Sequence, residues 1–199
     1  MKKTFLVLSI ALASVATVNA QVLTWGVKAG FNTSTISNGG IPGATSNPYK
    51  PGFQLGGVAQ YMLTPQFGLE SGLYFSQIGN KSEIASITQT SNPSYLQLPV
   101  TALYKFNVGT DLYLYPQAGL YLGYGLGGKY KTTVSTEKFF GTGTNRFDAG
   151  LTCGLNLQYT NYVIGLGYDL GLLKINKHSV SGVKDQKNAN IKVTLGYFF

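Results

Sequence analysis

The chain has 199 residues; 44% of them are hydrophobic, only 11% are charged, and the formal net charge is +8. Soluble domains carry roughly 25% charged residues to wet their surface, so this composition argues against an ordinary soluble enzyme. The apolar and aromatic content equally excludes a disordered polymer. A single domain is expected at this length.

Residues 1–20 have the features of a secretory signal peptide. Lys2 and Lys3 precede an apolar run over residues 5 to 15, and Val18-Asn19-Ala20 supplies small residues before a cleavage site. The run is shorter than the ~20 residues of a transmembrane helix. We therefore expect cleavage before Gln21, leaving residues 21–199 as one domain.

The scarcity of cysteine and histidine excludes two further classes. Cys153 is the single cysteine and His178 the single histidine, so neither an intramolecular disulfide nor a histidine-rich metal site is available. No cofactor or metal is predicted. For Cys153 we expect a small apolar residue on a strand rather than a nucleophile.

The remaining chain is organised by a period of two. From 147 to 159 every odd position is apolar and no even position is, which is typical of a strand with one apolar and one polar face. The pattern recurs over 162–171 and 190–199, with Val163 and Phe198 as exceptions. Further strands are predicted near 22–32, 52–63, 67–78, 95–106 and 112–126.

The connections between these strands alternate between short and long. The short ones lie at Thr64-Pro65-Gln66, at 107–111 and at Thr160-Asn161; the long ones lie near 33–51, 79–94, 127–145 and 174–188. This alternation is typical of outer-membrane barrels. The prediction is an all-β fold: a closed, antiparallel, up-and-down transmembrane β-barrel of about eight strands, with both termini and the short turns in the periplasm of a Gram-negative cell.

The polar phase distinguishes this barrel from a soluble β-sandwich. If the polar positions of the strands faced bulk water, they would be rich in Lys and Glu. In this chain the polar positions are mainly Gly, Gln, Thr, Asn and Ser. Glycine leaves room for larger side chains inside a narrow barrel. Aromatic residues near the strand ends predict two interfacial girdles, one of Trp25, Tyr61, Phe67, Tyr104, Phe106, Tyr159, Tyr162 and Tyr197, the other of Phe31, Phe53, Phe75, Tyr95, Tyr124 and Phe147.

Two prolines conflict with a closed sheet. Pro99 and Pro116 fall within predicted strands, where a missing N–H interrupts the ladder. We expect a bulge or an unpaired partner near each.

Six charged residues fall on the lumenal phase, and we predict that they form hydrogen-bonded pairs because an isolated buried charge is costly. Glu70 is expected near Lys105, and Asp169 opposite Lys192 in the last hairpin. For Asp148, solvation at a rim is an equal alternative. The predicted lumenal set is Lys28, Glu70, Lys105, Asp148, Asp169 and Lys192.

The long loops carry an excess of lysine, which indicates either attraction to lipopolysaccharide phosphates and acidic polymers or an ordinary solvated rim. Nucleic acid is not an expected partner, because no binding module is present. Gly123–Lys129 matches a phosphate-loop spacing but lacks the following Ser or Thr. His178, Ser179 and Asp185 lie in one loop with nothing rigid to align them as a triad.

The chain ending resembles the signal by which outer-membrane barrels are recognised for assembly, with Leu195, Tyr197 and Phe199 in the apolar phase. QVLTWGVKAGFN at the start of the mature chain, YLQLPVTALYKF, YPQAGLYLGYGLGG and FDAGLTCGLNLQY resemble the PorT-like outer-membrane β-barrel family. The resemblance implies a barrel in the outer membrane, with outer-membrane lipid and the barrel assembly machinery as partners. The namesake of that family is an accessory factor in protein secretion.

The leading functional hypothesis is therefore a small non-enzymatic barrel with a lumen filled by side chains. It would act through its long loops in envelope integrity, adhesion or surface binding. An accessory component of a secretion or envelope-assembly system, with an envelope protein as partner, is the alternative. An outer-membrane hydrolase is the third.

Overall fold

The computed structural model describes residues 23–37, 44–46, 50–78, 80–84, 87–131, 136–140, 144–173 and 187–199. The predicted signal peptide and the residues His178, Ser179 and Asp185 lie outside these ranges. Within them, no helix is long and apolar enough to cross a membrane.

The described residues form strands almost throughout. In chain order they are β1 (Leu23–Ser37), β2 (Ala44–Ser46), β3 (Lys50–Met62), β4 (Phe67–Gln77), β5 (Asn80–Ile84), β6 (Ile87–Ser91), β7 (Ser94–Tyr104), β8 (Phe106–Gly109), β9 (Leu112–Gly127), β10 (Lys129–Lys131), β11 (Thr136–Lys138), β12 (Phe147–Tyr159), β13 (Tyr162–Gly171) and β14 (Lys187–Phe198).

Eight of these strands close into a ring. Their order is β1-β3-β4-β7-β9-β12-β13-β14, and β14 pairs back onto β1, so every member has two antiparallel neighbours. The predicted closed antiparallel barrel is confirmed, with strands that extend several residues beyond the predicted limits at β1 and β14. Closure matters because lipid offers no partner to an unpaired backbone group.

Tight turns define one end of the barrel, which we call the turn end, and the long connections define the loop end. Asp111 and Thr160 adopt left-handed backbone conformations, with φ of 56° and 50°, in the two-residue connections 110–111 and 160–161. At the third turn the Thr64 hydroxyl accepts a hydrogen bond from the Phe67 N–H at 2.9 Å. These local contacts fix the register of each hairpin.

The strands present an apolar outer face and a polar inner face. Leu151 and Leu155 of β12 and Leu166 of β13 are about half exposed. Thr152 and Asn156, at the alternate positions of β12, are buried. Cys153 lies on the outer face. The girdle residues are partly or well exposed, with one correction: Tyr95 is buried in the lumen, because the outward phase of β7 is even-numbered and includes Leu96 and Leu98.

The ladder is interrupted at both prolines, as predicted. Between β4 and β7 the pairs Ser71–Val100 and Tyr74–Gln97 keep one register, but the two pairs between them, including Gly72–Pro99, are missing. The Ser71 hydroxyl instead donates to the Pro99 carbonyl at 2.9 Å. Pro116 lies where the pairing of β9 with β7 ends, before β8 resumes it at Phe106.

The wall continues past the loop end as a second, five-stranded sheet with the order β11-β10-β6-β5-β2. Gln77 pairs with Ser94 in the barrel, and Asn80 pairs with Ser91 three residues further along both strands. The β4–β7 register therefore passes unchanged into β5–β6. We call β5, β6, β10 and β11 the wall extension.

Candidate functional site: a lumen closed by side chains

The turn-end half of the lumen is filled by an apolar cluster. It consists of Val58, Tyr74, Leu103, Tyr115, Val163 and Phe198. Phe198, an exception to the predicted alternation, lies inside because the polar phase of β14 points inward, and it is 2% exposed. Gly26 makes room for this ring, since a Cβ there would lie 2.7 Å from a Phe198 ring carbon.

Lys28 and Glu70 form an ion pair above this cluster. The Lys28 ammonium donates to Glu70 Oε1 at 2.6 Å, and both side chains are almost fully buried. Gln60 donates to the other carboxylate oxygen at 2.8 Å. Both cross-strand neighbours of Lys28, Gly56 and Gly196, lack side chains, which leaves space for its long stem to cross the lumen.

Asp169 and Lys192 form a second ion pair nearer the loop end. The Lys192 ammonium donates to Asp169 Oδ1 at 2.6 Å, and the Thr152 hydroxyl donates to the same oxygen at 2.6 Å. Asn190 donates to Oδ2 at 3.4 Å. Opposite Lys192 in the register lies Gly167, where a Cβ would be 2.7 Å from the lysine Cε. Glycine again opens the diagonal along which the charges meet.

The remaining two lumenal charges are held by neutral groups. Lys105 donates to Gln158 Oε1 at 2.9 Å and lies 5.5 Å from the Tyr115 ring centroid. The expected Glu70–Lys105 pair is wrong, because Lys28 forms the ion pair with Glu70 and Lys105 bonds to Gln158 instead. Among the described residues, no lysine or arginine side chain forms an ion pair with Asp148.

Asp148 is nevertheless buried, at 5% exposure, so the solvated alternative does not hold. Its carboxylate accepts hydrogen bonds from Tyr121 Oη at 3.2 Å and Asn188 Nδ2 at 2.8 Å. Because these donors come from β9 and β14, Asp148 links three strands at the loop end. Neutral donors of this kind compensate part of the cost of burying a charge.

An aromatic cap closes the loop end. Phe140, which follows β11, packs edge-on against Tyr95 with ring centroids 5.5 Å apart, and Ile78 completes the cluster. The Phe140 ring lies directly over Gly125, where a Cβ would be 2.2 Å from its Cζ. The Arg146 guanidinium lies 5.3 Å from the same ring. Composition and alternation gave no sign of this cap, because a loop residue supplies it.

A cavity of about 40 Å³ lies between the two ion pairs. Its walls include Gln117, Tyr121 and Asn156, and the Gln117 Oε1 is buried without a donor. A water needs on the order of 10–15 Å³ of such volume, so the cavity has room for a few waters. The described part of the chain contains no cluster of residues suited to a metal ion.

The residues of the predicted assembly signal lie on the outer face. Leu195 and Phe199 are 64% and 73% exposed, and the Tyr197 ring lies 5.6 Å from that of Phe199. The Phe199 N–H donates to the Trp25 carbonyl at 2.8 Å, which secures the chain end to β1.

A closed eight-stranded barrel with an apolar outer face, aromatic girdles and a lumen filled by side chains defines an integral outer-membrane protein of the small-barrel class. Residues 19–177 match the family described as the outer membrane protein beta-barrel domain. The chain belongs to this family, and it is an outer-membrane β-barrel protein.

Solved structures share this fold at low sequence identity. Neisserial surface protein A is similar with a TM-score of 0.50 and 15% identity, over 88% of this chain and 97% of that one. Ail of Yersinia pestis, in complex with the heparin analogue sucrose octasulfate, gives 0.48 and 18%, over 89% and 99%. OprG of Pseudomonas aeruginosa gives 0.48 and 14%, over 89% and 96%. Among curated proteins no significant match is found.

Proposed function

We propose that this protein is a non-enzymatic barrel of the Gram-negative outer membrane that acts through the surface at its loop end, in envelope integrity, adhesion or surface binding. The observation that carries the proposal is the closed lumen. An apolar cluster, two ion pairs and an aromatic cap fill it in succession, and the cavity between the ion pairs is about 40 Å³. A wall that continues beyond the cap offers contact surface instead of a passage.

The proposed orientation places both termini and the short turns in the periplasm and the wall extension at the cell surface. It is supported by the contrast between tight turns at one end and long connections at the other, which is the usual arrangement of outer-membrane barrels. The barrel assembly machinery would recognise the outward aromatic end of β14.

An accessory role in protein secretion or envelope assembly is the second candidate, and the PorT-like resemblance favours it. A sealed lumen cannot itself conduct a chain, so such a role also requires a partner on an outer surface. A hydrolase is the third candidate, with Ser179 as its nucleophile. This candidate requires that the wild-type protein has a measurable esterase activity and that the Ser179→Ala variant loses it.

Two measurements test the proposal. The refolded barrel should show no conductance steps in planar bilayers, and a step of stable amplitude would overturn the sealed lumen. A photocrosslinking residue at Thr88 or Thr136 in the wall extension should capture surface ligands in intact cells, whereas one at Leu155, on the middle of the outer face, serves as the control. Capture of a secretion protein would favour the second candidate.

A further inference from the structure

Asp148 differs from the other two lumenal carboxylates in how its charge is balanced. Glu70 and Asp169 each accept a hydrogen bond from a lysine ammonium at 2.6 Å. The side chains that donate to Asp148 are the neutral Tyr121 and Asn188, and both bond to the same oxygen, Oδ2. Neutral donors offset only part of the cost of burying a charge, so this position favours a cation.

A cation of the same chain lies within reach of this carboxylate. Arg146 is two residues from Asp148, and side chains two residues apart on an extended strand share one face and lie about 6.6 Å apart. The pairing of β12 with β9 continues to Arg146, because the Gly125 N–H donates to its carbonyl at 2.7 Å. The long arginine side chain can span the distance to Asp148.

The ring of Phe140 holds the arginine in a different place. The ring lies over Gly125, where a Cβ would be 2.2 Å from the ring Cζ. Arg146 is opposite this glycine, and its guanidinium lies 5.3 Å from the centroid of the same ring. Arg146 Nη1 donates to the Gly125 carbonyl at 3.0 Å, so the guanidinium stays at the mouth of the lumen.

The deeper side of the cap lies at the level of Asp148. The Phe140 ring packs edge-on against Tyr95, with centroids 5.5 Å apart. Gly123 is directly opposite Asp148, and a Cβ on this glycine would lie 3.3 Å from the Asp148 Cβ and 3.8 Å from Tyr95 Cδ1. Because Gly123 contributes no side chain here, departure of the ring would open the way from Arg146 to the carboxylate.

The two possible arrangements exchange comparable interactions. With the cap in place, the Phe140 ring is buried at 8% exposure and makes a cation–π contact with Arg146. Without it, the guanidinium would form a charge-assisted pair with a carboxylate that has no other cation. Since each arrangement gives up one favourable contact for another, a single substitution that removes or displaces the ring should suffice to change between them.

We propose that Asp148 is the carboxylate of a cation site beneath the aromatic cap, and that the Arg146 guanidinium enters this site when Phe140 leaves the space over Gly125. The loop end then has two closed arrangements, one filled by the ring and one filled by the ion pair. A ligand that withdraws Phe140 from the lumen would favour the second. The inference goes beyond the proposed surface role and does not depend on it, because its test requires neither a known orientation nor a surface ligand.

The test is a double-mutant cycle of Asp148→Asn and Arg146→Gln, measured as the urea unfolding constant of the refolded mature chain in lipid vesicles. In the wild-type background the two changes should act independently to within about twofold, because the side chains do not meet. In the Phe140→Ala background we expect a coupling of about tenfold, as for residues in contact. Arg146→Lys in that background should restore most of the stability that Arg146→Gln loses, since lysine keeps the charge.

A second variant displaces the ring without deleting it. Gly125→Ala places a methyl group 2.2 Å from Phe140 Cζ, which is the tip of a side chain and can shift. Gly127→Ala is the matched control, because nothing lies within 4 Å of its Cβ. We expect coupling between Asp148 and Arg146 in the Gly125→Ala background and none in the Gly127→Ala background. Heat-modifiable migration on gels verifies that each barrel has folded.

Two kinds of result would overturn the proposal. Independence of Asp148→Asn and Arg146→Gln in a folded Phe140→Ala or Gly125→Ala barrel would mean that the arginine does not enter the site. Coupling of the same size in the wild-type or Gly127→Ala background would mean that the cap does not control entry.

Discussion

The ion pair between Asp169 and Lys192 supports a quantitative test of how the lumen is held together. Lys192→Met leaves a carboxylate that is 4% exposed with only two neutral side-chain donors, Thr152 and Asn190. Breaking a buried pair in this way costs about 3–5 kcal/mol, since the remaining charge is uncompensated. We expect Lys192→Met to lie in the upper part of that range.

Asp169→Asn should be somewhat less damaging. The lysine it leaves behind is 17% exposed, still donates to the Thr152 hydroxyl at 3.3 Å, and borders the cavity between the ion pairs, which has room for water. We expect a loss of about 3 kcal/mol. The double variant removes both charges and leaves neutral residues of similar size, so its loss should fall short of the sum of the single losses by at least about 2 kcal/mol.

Urea titration of the barrels in lipid vesicles gives the free energy of unfolding of the wild type, the two single variants and the double variant. Trp25, the single tryptophan, lies on the outer face at 59% exposure and reports the loss of the membrane environment. Lys105→Met is the control partner, because Lys105 bonds to Gln158, and its coupling to Asp169→Asn should be near zero. Additive losses for Asp169→Asn and Lys192→Met would refute the pairing and with it the register of the last hairpin.

Further predictions concern packing, assembly and location. Gly56→Ala should destabilise the barrel by about 1–3 kcal/mol, because its Cβ would lie 2.4 Å from the Leu73 carbonyl oxygen, whereas Gly57→Ala, with nothing within 4 Å, should be neutral in the same urea titration. Deletion of Phe199 should lower the yield of folded barrel on unheated gels, since it removes the outward terminal ring and its bond to Trp25; a wild-type yield would contradict the assembly role. Cell fractionation should recover a chain beginning at Gln21 in the outer membrane, and recovery from the soluble periplasm would count against the signal-peptide and barrel assignments together.

The strands and their facing were predictable from the sequence, because lipid outside and a narrow lumen inside impose opposite chemistries on alternate residues. Over 147–159 this contrast is complete, and β12 has these bounds. Tyr95 was misplaced because tyrosine suits both an interfacial girdle and a filled lumen. The two locations are distinguished only by the alternation of β7: Tyr95 is odd-numbered, like the buried Gln97, and therefore faces the lumen.

The pairing of charges inside the lumen was less accessible to sequence reasoning, because a cross-strand contact depends on what the strands between leave open. Asp169 and Lys192 lie on the inner face of two consecutive strands, β13 and β14, which pair directly, so this contact could be predicted from the alternation although a long connection joins the strands. Lys28 and Glu70 are separated by β3, and the alternation alone does not indicate that the Lys28 stem, which lies against Gly196, reaches across to Glu70.

Glycine thus has two roles in this barrel, and both depend on registry. At positions 167 and 196 it lets a lysine stem cross the polar face, and at 56 and 125 it lets an aromatic ring, of Tyr74 and of Phe140, lie against the wall. In each case the neighbouring large side chain is supplied by another strand or loop. The same physics explains why the cap was not apparent in the sequence. Alternation assigns a residue to a face, whereas bulges and glycines determine which residues on that face come together.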